Sequence, residues 1–150
     1  MASELSIEFH NRAQIFASTL WNEIQSTYVL ENSAYPDHIC YRTSSSDNYE
    51  KSKNLISTIA ILLIESEVNG RNIATYRLNE PIIIDSKNSI WIIEIPAPKK
   101  NSHYDEGFEH IEIVTQLNFE DVKLNSGQQA SIPRNAKRTT PSILGETRTS

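Results

Sequence analysis

The dipeptide Asn69-Gly70 constrains the chain more than any other feature. It sits between Ile61-Leu-Leu-Ile-Glu-Ser-Glu-Val68 and Arg71-Asn-Ile-Ala-Thr-Tyr-Arg-Leu78. Both central positions of a two-residue type I′ turn need positive φ, which Asn-Gly tolerates, so the flanking runs are expected to close as a β-hairpin. Other elements can be placed around it. Leu5, Phe9, Ile15, Phe16, Leu20 and Ile24 recur roughly at helical spacing, with Ser3 as N-cap, and predict a helix over the first 30 residues. Pro36 stops it. Asp37 to Thr43 alternates polar and apolar residues and reads as a strand. Asp47 is a plausible N-cap for a second helix running to about Ala60, with Leu55, Ile56 and Ile59 on its apolar side. Beyond the hairpin, Ile90 to Ile95 and Phe108 to Val114 read as strands, the first closed by Pro96 and Pro98. The order is helix, strand–helix–strand–strand–strand, then one more strand. Such a βαβββ unit lays one sheet face on its helix and leaves the other free to form a concave cup.

The 150 residues, 38% hydrophobic and 22% charged, suffice for one domain with a modest core. They fit neither a disordered chain nor a collagen-like, coiled-coil or disulfide-rich one. A net charge of −5 argues against nucleic-acid binding, which needs clustered positive charge. Cys40 is the one cysteine, so no internal disulfide or cysteine-based zinc site is possible. No secretion signal is visible at the N-terminus, and the apolar run Ile59 to Ile64 is too short for a bilayer. A cytoplasmic protein is expected. Residues 1–114 carry 9 basic and 16 acidic side chains; residues 115–150 carry 5 and 3, few apolar residues and no convincing strand-like run. The organised part is expected to end near Val114, followed by a loosely ordered tail.

Side chains on a strand alternate faces, so parity sorts the candidates for chemistry. His38, Cys40 and Arg42 share a face, opposite Ile39 and Tyr41. Glu94 falls with Ile90 and Ile92, opposite Trp91, Ile93 and Ile95. His110 and Glu112 fall with Phe108, opposite Ile111 and Ile113. Two imidazoles and a carboxylate on three strands are the parts of a facial metal triad suited to Zn²⁺, Fe²⁺, Mn²⁺ or Ni²⁺, with positions left for water or substrate. The competing reading is a solvated polar face, which any half-buried strand presents. Arg42 and Arg77 are candidates to bind an anionic substrate group, or else to pair with Glu94 or Glu112. Glu112 is a candidate ligand, proton-transferring base or hydrogen-bond partner of a ligating histidine. His10 reads as an ordinary helix residue, His103 and Tyr104 as a solvated loop, and Cys40 as a small buried neighbour of His38.

Four segments occur in order with fitting gaps: Asp37-His-Ile-Cys-Tyr-Arg42, Val68-Asn-Gly-Arg-Asn-Ile-Ala-Thr-Tyr-Arg-Leu-Asn-Glu-Pro81, Ile92-Ile-Glu-Ile-Pro96 and Glu106-Gly-Phe-Glu-His-Ile-Glu-Ile-Val114. Together they resemble the YecM family of small bacterial proteins, over roughly residues 5–115. That family belongs to the vicinal-oxygen-chelate superfamily, with glyoxalase I, extradiol dioxygenases and bleomycin-resistance proteins. The resemblance implies an α+β fold: a glyoxalase-type βαβββ module behind an N-terminal helix, with a second module beginning at the last strand. Residues 1–114 would hold the first module and the first strand of the second. Only 36 residues follow, where a complete module needs about 50, so 115–150 is expected to be an incomplete second module. Superfamily metal ligands lie on the first and last strand of each module. By position this makes His38, Glu94 and His110 the metal ligands, leaves the fourth ligand without a candidate, and gives a divalent metal ion as cofactor. Two functions stay open. One is a metal-dependent isomerase, lyase or dioxygenase acting on a small oxygen-rich substrate, with Glu112 moving a proton. The other is a non-catalytic metal- or small-molecule-binding module with a vestigial site. The expected partners are a small-molecule ligand and a second copy in a homodimer, not nucleic acid or a membrane.

Overall fold

The computed structural model describes residues 2–124 and 136–139. Helix α1 spans Glu4–Thr27 and is followed by β1 (Tyr28–Val29), β2 (Tyr35–Arg42), α2 (Ser46–Ile56), β3 (Ala60–Val68), β4 (Arg71–Ile83), β5 (Ser89–Pro96) and β6 (Gly107–Val114). A 3₁₀ turn at Phe119–Asp121 then leads to β7 (Lys123–Leu124), and β8 spans Ala136–Thr139. The main sheet runs β3-β4-β5-β2-β6-β8. The fold is α+β, and β2, α2, β3, β4 and β5 follow one another in the expected strand–helix–strand–strand–strand order. Strands β2 and β5 are parallel, while β6 joins the other edge of β2 antiparallel. No helix of the described residues is long and apolar enough to cross a membrane.

Local signals explain the boundaries. Ser3 caps α1 by accepting from the Ser6 amide, and the Ser6 hydroxyl accepts from the Ser3 amide in return. Asn69 and Gly70 have φ of 51° and 81°, as the expected turn requires. The cap of α2 is Ser45, whose hydroxyl accepts from the Asn48 amide at 3.1 Å. Asp47, read as the cap, lies inside the first turn, where its charge complements the helix dipole. The helix stops at Ile56 because Ala60 already pairs with Leu78 in the sheet.

Both helices cover one face of the sheet. Phe9, Trp21 and Ile24 of α1 join Tyr49 and Ile56 of α2 in a core with Ile39, Tyr76, Ile93, Ile95, Ile111 and Ile113. The buried seam of α1 uses Ala13 and Ala17, whose small side chains let the helix approach the strands, while Leu5 and Ile15 are exposed. Ile15 lies about 200° around the helix from Ala13, on the outer side.

Strand register shifts at four places, between Pro36 and His38, Cys40 and Tyr41, Leu62 and Ile64, and Arg77 and Ile82, and two of these breaks overturn an expected face. Cys40 pairs with His110 but Tyr41 pairs with Phe108, so Glu109 is an extra residue that bulges β6. The bulge sends Phe108 to the helix face, where its ring lies 5.1 Å from those of Phe9 and Tyr41, not to the face of His110 as alternation implied. The second break is between Arg77–Ile92 and Ile82–Ile90, where four residues of β4 oppose Trp91 alone. Ile90 is therefore fully buried and Trp91 is 38% exposed, the reverse of the expected assignment.

The segment after Val114 contains the pairing that its composition hid. Tyr28 pairs with Leu124 in a two-stranded ribbon, and β8 runs parallel to β6 with Ile111 opposite Ala136. Glu120 and Asp121 lie in the 3₁₀ turn. The expected loose ordering at 125–135 and 140–150 lies outside the described residues. Glu31 fastens the start of this segment. Its carboxylate accepts from the Thr115 hydroxyl at 2.7 Å and from the Gln116 amide. Partial burial raises its pKa, but these hydrogen bonds outweigh that and hold it below the usual carboxylate value. The contribution is present above the unfolded carboxylate range and is lost as pH falls through the folded pKa. Glu31→Gln is expected to cost about 1 kcal/mol at neutral pH. In denaturant titrations the gap from wild type should shrink as the buffer is taken from about pH 7 to about pH 3.

Candidate metal centre

The face away from the helices carries the polar side chains of the central strands. His38 stands opposite Glu112 across the β2–β6 ladder, and Cys40 stands between Glu94 of β5 and His110 of β6. Cross-strand neighbours on one face lie within side-chain reach, so adjacency in the sheet brings these groups together. His38 Nε2 is 3.2 Å from Glu112 Oε2 and 3.4 Å from Glu94 Oε2, although neither contact has hydrogen-bond geometry. The other ring nitrogen, Nδ1, lies 3.0 Å from Asp37 Oδ2. A Nδ1–H donated to Asp37 orients the ring so that Nε2, as a lone pair in the neutral form or as N–H in the protonated form, faces the two glutamates. Burial opposes a charge on this imidazole, but contacts with Asp37, Glu112 and Glu94 outweigh it and push the pKa up to about 11.

Ligand atoms of His38, His110 and Glu112 all lie within 4.8 Å of one another. A second group, Cys40, Glu109 and His110, meets the same limit and shares His110. The bulge of β6 explains it: as the extra residue, Glu109 turns toward the cup, with Oε2 3.7 Å from Cys40 Sγ and 3.5 Å from His110 Nδ1. Glu94 touches His38 but is not in the first group, whose carboxylate is Glu112. Glu94, Glu112, Glu109 and His110 line a cup of about 300 Å³.

Sequence reasoning placed His38, His110, Glu94 and Glu112 on this face, and the sheet brings all four together. Arg42 lines the cup, with its Nε donating to the Asp105 carbonyl at 3.0 Å and its guanidinium over the Tyr104 ring. Arg77 is not in the lining; it lies exposed with its guanidinium 4.5 Å from the Trp91 ring centroid. Four contributors were missed: Asp37, Glu109, Arg71 and Lys99. Asp37 carried a signal as the residue beside His38. Arg71 has the parity of Ile73 and Thr75 on β4, and Thr75 faces Glu94. Glu109 and Lys99 had no parity signal, since one is a bulge residue and the other lies in a loop.

The chain matches the family described as "YecM protein" over residues 7–142. It is 32% identical over 102 residues to Protein YecM of Escherichia coli (strain K12), covering 65% of this chain and 54% of that protein. It is 35% identical over 78 residues to an uncharacterised protein of Haemophilus influenzae, covering 52% and 40%. The chain thus spans about half the length of these curated relatives. The structural-genomics protein EC4020 superposes with a TM-score of 0.62 at 24% identity, over 80% of this chain and 68% of that one, and shares its fold. Matched over nearly all its length, the chain belongs to the YecM family.

Proposed function

We propose that the cup is a divalent-metal site of the vicinal-oxygen-chelate kind, held by His38, His110 and Glu112, with Glu94 beside them. One observation carries the reading: three nitrogen and oxygen ligand atoms from two adjacent strands converge within 4.8 Å at a buried imidazole. The donor chemistry fits. A buried lone pair facing two carboxylates is unfavourable unless a cation or a proton lies between them. Two imidazoles and a carboxylate suit Zn²⁺, Fe²⁺, Mn²⁺ or Ni²⁺. When bound, such an ion supplies Lewis-acid and templating chemistry to a small oxygen-rich ligand.

The chain's own residues have separate tasks in this reading. Asp37 holds the His38 ring in orientation. Glu94 and Glu112 face the same space, and whichever is not engaged in binding can accept a proton from a ligand in the cup. The proposed activity is metal-dependent small-molecule binding, with turnover as an isomerase, lyase or dioxygenase only where a bound ligand meets that base. A second reading rests on the 3.2 and 3.4 Å distances, which also suit a protonated His38 bridging Glu94 and Glu112 as a structural ion cluster. Calorimetric titration of the metal-stripped full chain with Zn²⁺, Fe²⁺, Mn²⁺ and Ni²⁺ decides between them. About one equivalent of ion should bind; no uptake of any divalent ion of the Zn, Fe, Mn and Ni set would leave the proton-bridged cluster.

A further inference from the structure

We infer that the cup contains an oxyanion subsite formed by Arg42, Arg71 and Lys99, so that its ligand carries a carboxylate or phosphate group. The inference deepens the metal reading and in its full form rests on it. The three cations come from separate elements: the end of β2, the start of β4 and the loop after β5. All three line the cup that the glutamates and His110 also line.

Their tethers do not neutralise them. Arg42 donates through Nε to the Asp105 carbonyl and stacks over Tyr104, 5.0 Å from the ring centroid. Arg71 donates through Nη1 to the Ala97 carbonyl at 3.4 Å. Among the described residues, no carboxylate lies within ion-pair distance of Arg42, Arg71 or Lys99. The acidic groups of the cup are engaged elsewhere: Glu94 and Glu112 at His38, Glu109 at His110 and Cys40. A carbonyl tether orients a guanidinium while leaving its charge and its remaining donors for another acceptor. Planar N–H donors of this kind match the oxygens of a carboxylate or phosphate.

Charge points the same way. Three cations match three carboxylates in the lining, so a bound divalent ion gives the cup a net positive charge. An anionic ligand restores the balance, and a neutral one does not. A volume of about 300 Å³ lies at the small end for ligand sites and suits a compact anion.

The test uses three small probes on the full chain: acetate, methyl phosphate and uncharged acetamide. Binding is followed by amide chemical-shift titration of the metal-stripped and the metal-loaded protein. Wild type should bind at least one of the two anions and prefer it to acetamide. Stronger acetate binding identifies a carboxylate ligand and stronger methyl phosphate binding a phosphate ligand. Arg71→Gln and Lys99→Gln should each weaken the preferred anion about tenfold, because a charge-assisted contact is lost. Arg71→Lys should recover part of the loss, and metal stoichiometry should be unchanged in all three variants. Equal binding of anions and acetamide, or unchanged anion affinity in both Gln variants, overturns the subsite. Failure of the metal reading is seen separately, as absence of metal uptake by wild type. In that case the metal-stripped comparison of wild type with Arg71→Gln still decides the subsite.

Discussion

His38→Ala is expected to lower divalent-metal affinity by at least a hundredfold, and His110→Ala to do the same. His38 is the residue on which the cluster converges, with Glu94 and Glu112 on one ring nitrogen and Asp37 on the other. Removing its imidazole deletes one of the proposed ligands and leaves two carboxylates facing each other across a gap. Asp37→Asn should have a graded effect. The ring remains but loses its charged orienting partner, and outer partners of this kind are typically worth about 10–100-fold in affinity. The order expected from calorimetry is wild type, then Asp37→Asn, then the two alanine variants. Circular dichroism should show all of them folded, because their side chains lie on the face opposite the helix-packed core. Equal uptake by wild type and both alanine variants would place the metal elsewhere.

The largest stability effect is expected at Trp21. Its side chain is 2% exposed in the seam between α1 and the sheet, and its indole N–H donates to Asp85 Oδ2 at 2.9 Å. The other oxygen of Asp85 accepts from the backbone amides of Lys87 and Asn88, forming the turn between β4 and β5. Trp21 thus fills the core and ties α1 to that turn. Trp21→Ala should cost about 3–5 kcal/mol, a large share of the stability of a domain this size. Trp21→Phe keeps most of the apolar burial and loses the hydrogen bond. Its cost should be smaller, about 1–2 kcal/mol. Urea denaturation at pH 7 measures both. A Trp21→Ala loss below about 1 kcal/mol would mean that α1 is not an integral part of the core.

Much of the architecture was legible because its determinants are local. Asn69-Gly70 set the hairpin, Ser3 the start of α1, and alternation in β2 the opposing faces of His38 and Ile39. Errors arose where a partner strand overrode alternation. Phe108 turned to the helices because Glu109 bulges against Cys40. Trp91 and Ile90 exchanged roles because the β4–β5 register shifts there. Strands β7 and β8 were missed because two and four residues are too few to show a two-residue period, and such strands are defined by the strand they pair with.

The candidate site divides in the same way. Residue type and parity nominated His38, Glu94, His110 and Glu112. They did not show that Glu112 would meet His38 or that Glu109 would turn into the cup. Nor did they show that Arg71 and Lys99 would line it while Arg77 stacks on Trp91. A two-residue period is a property of each strand alone, so the sequence by itself determined which side chains share a face. Which of them meet depends on strand order, register and bulges, which arise from hydrogen bonding between segments far apart in the chain, as Cys40 and His110 are at 70 residues. Tertiary structure alone decided those encounters, and with them the cup and the side chains that line it.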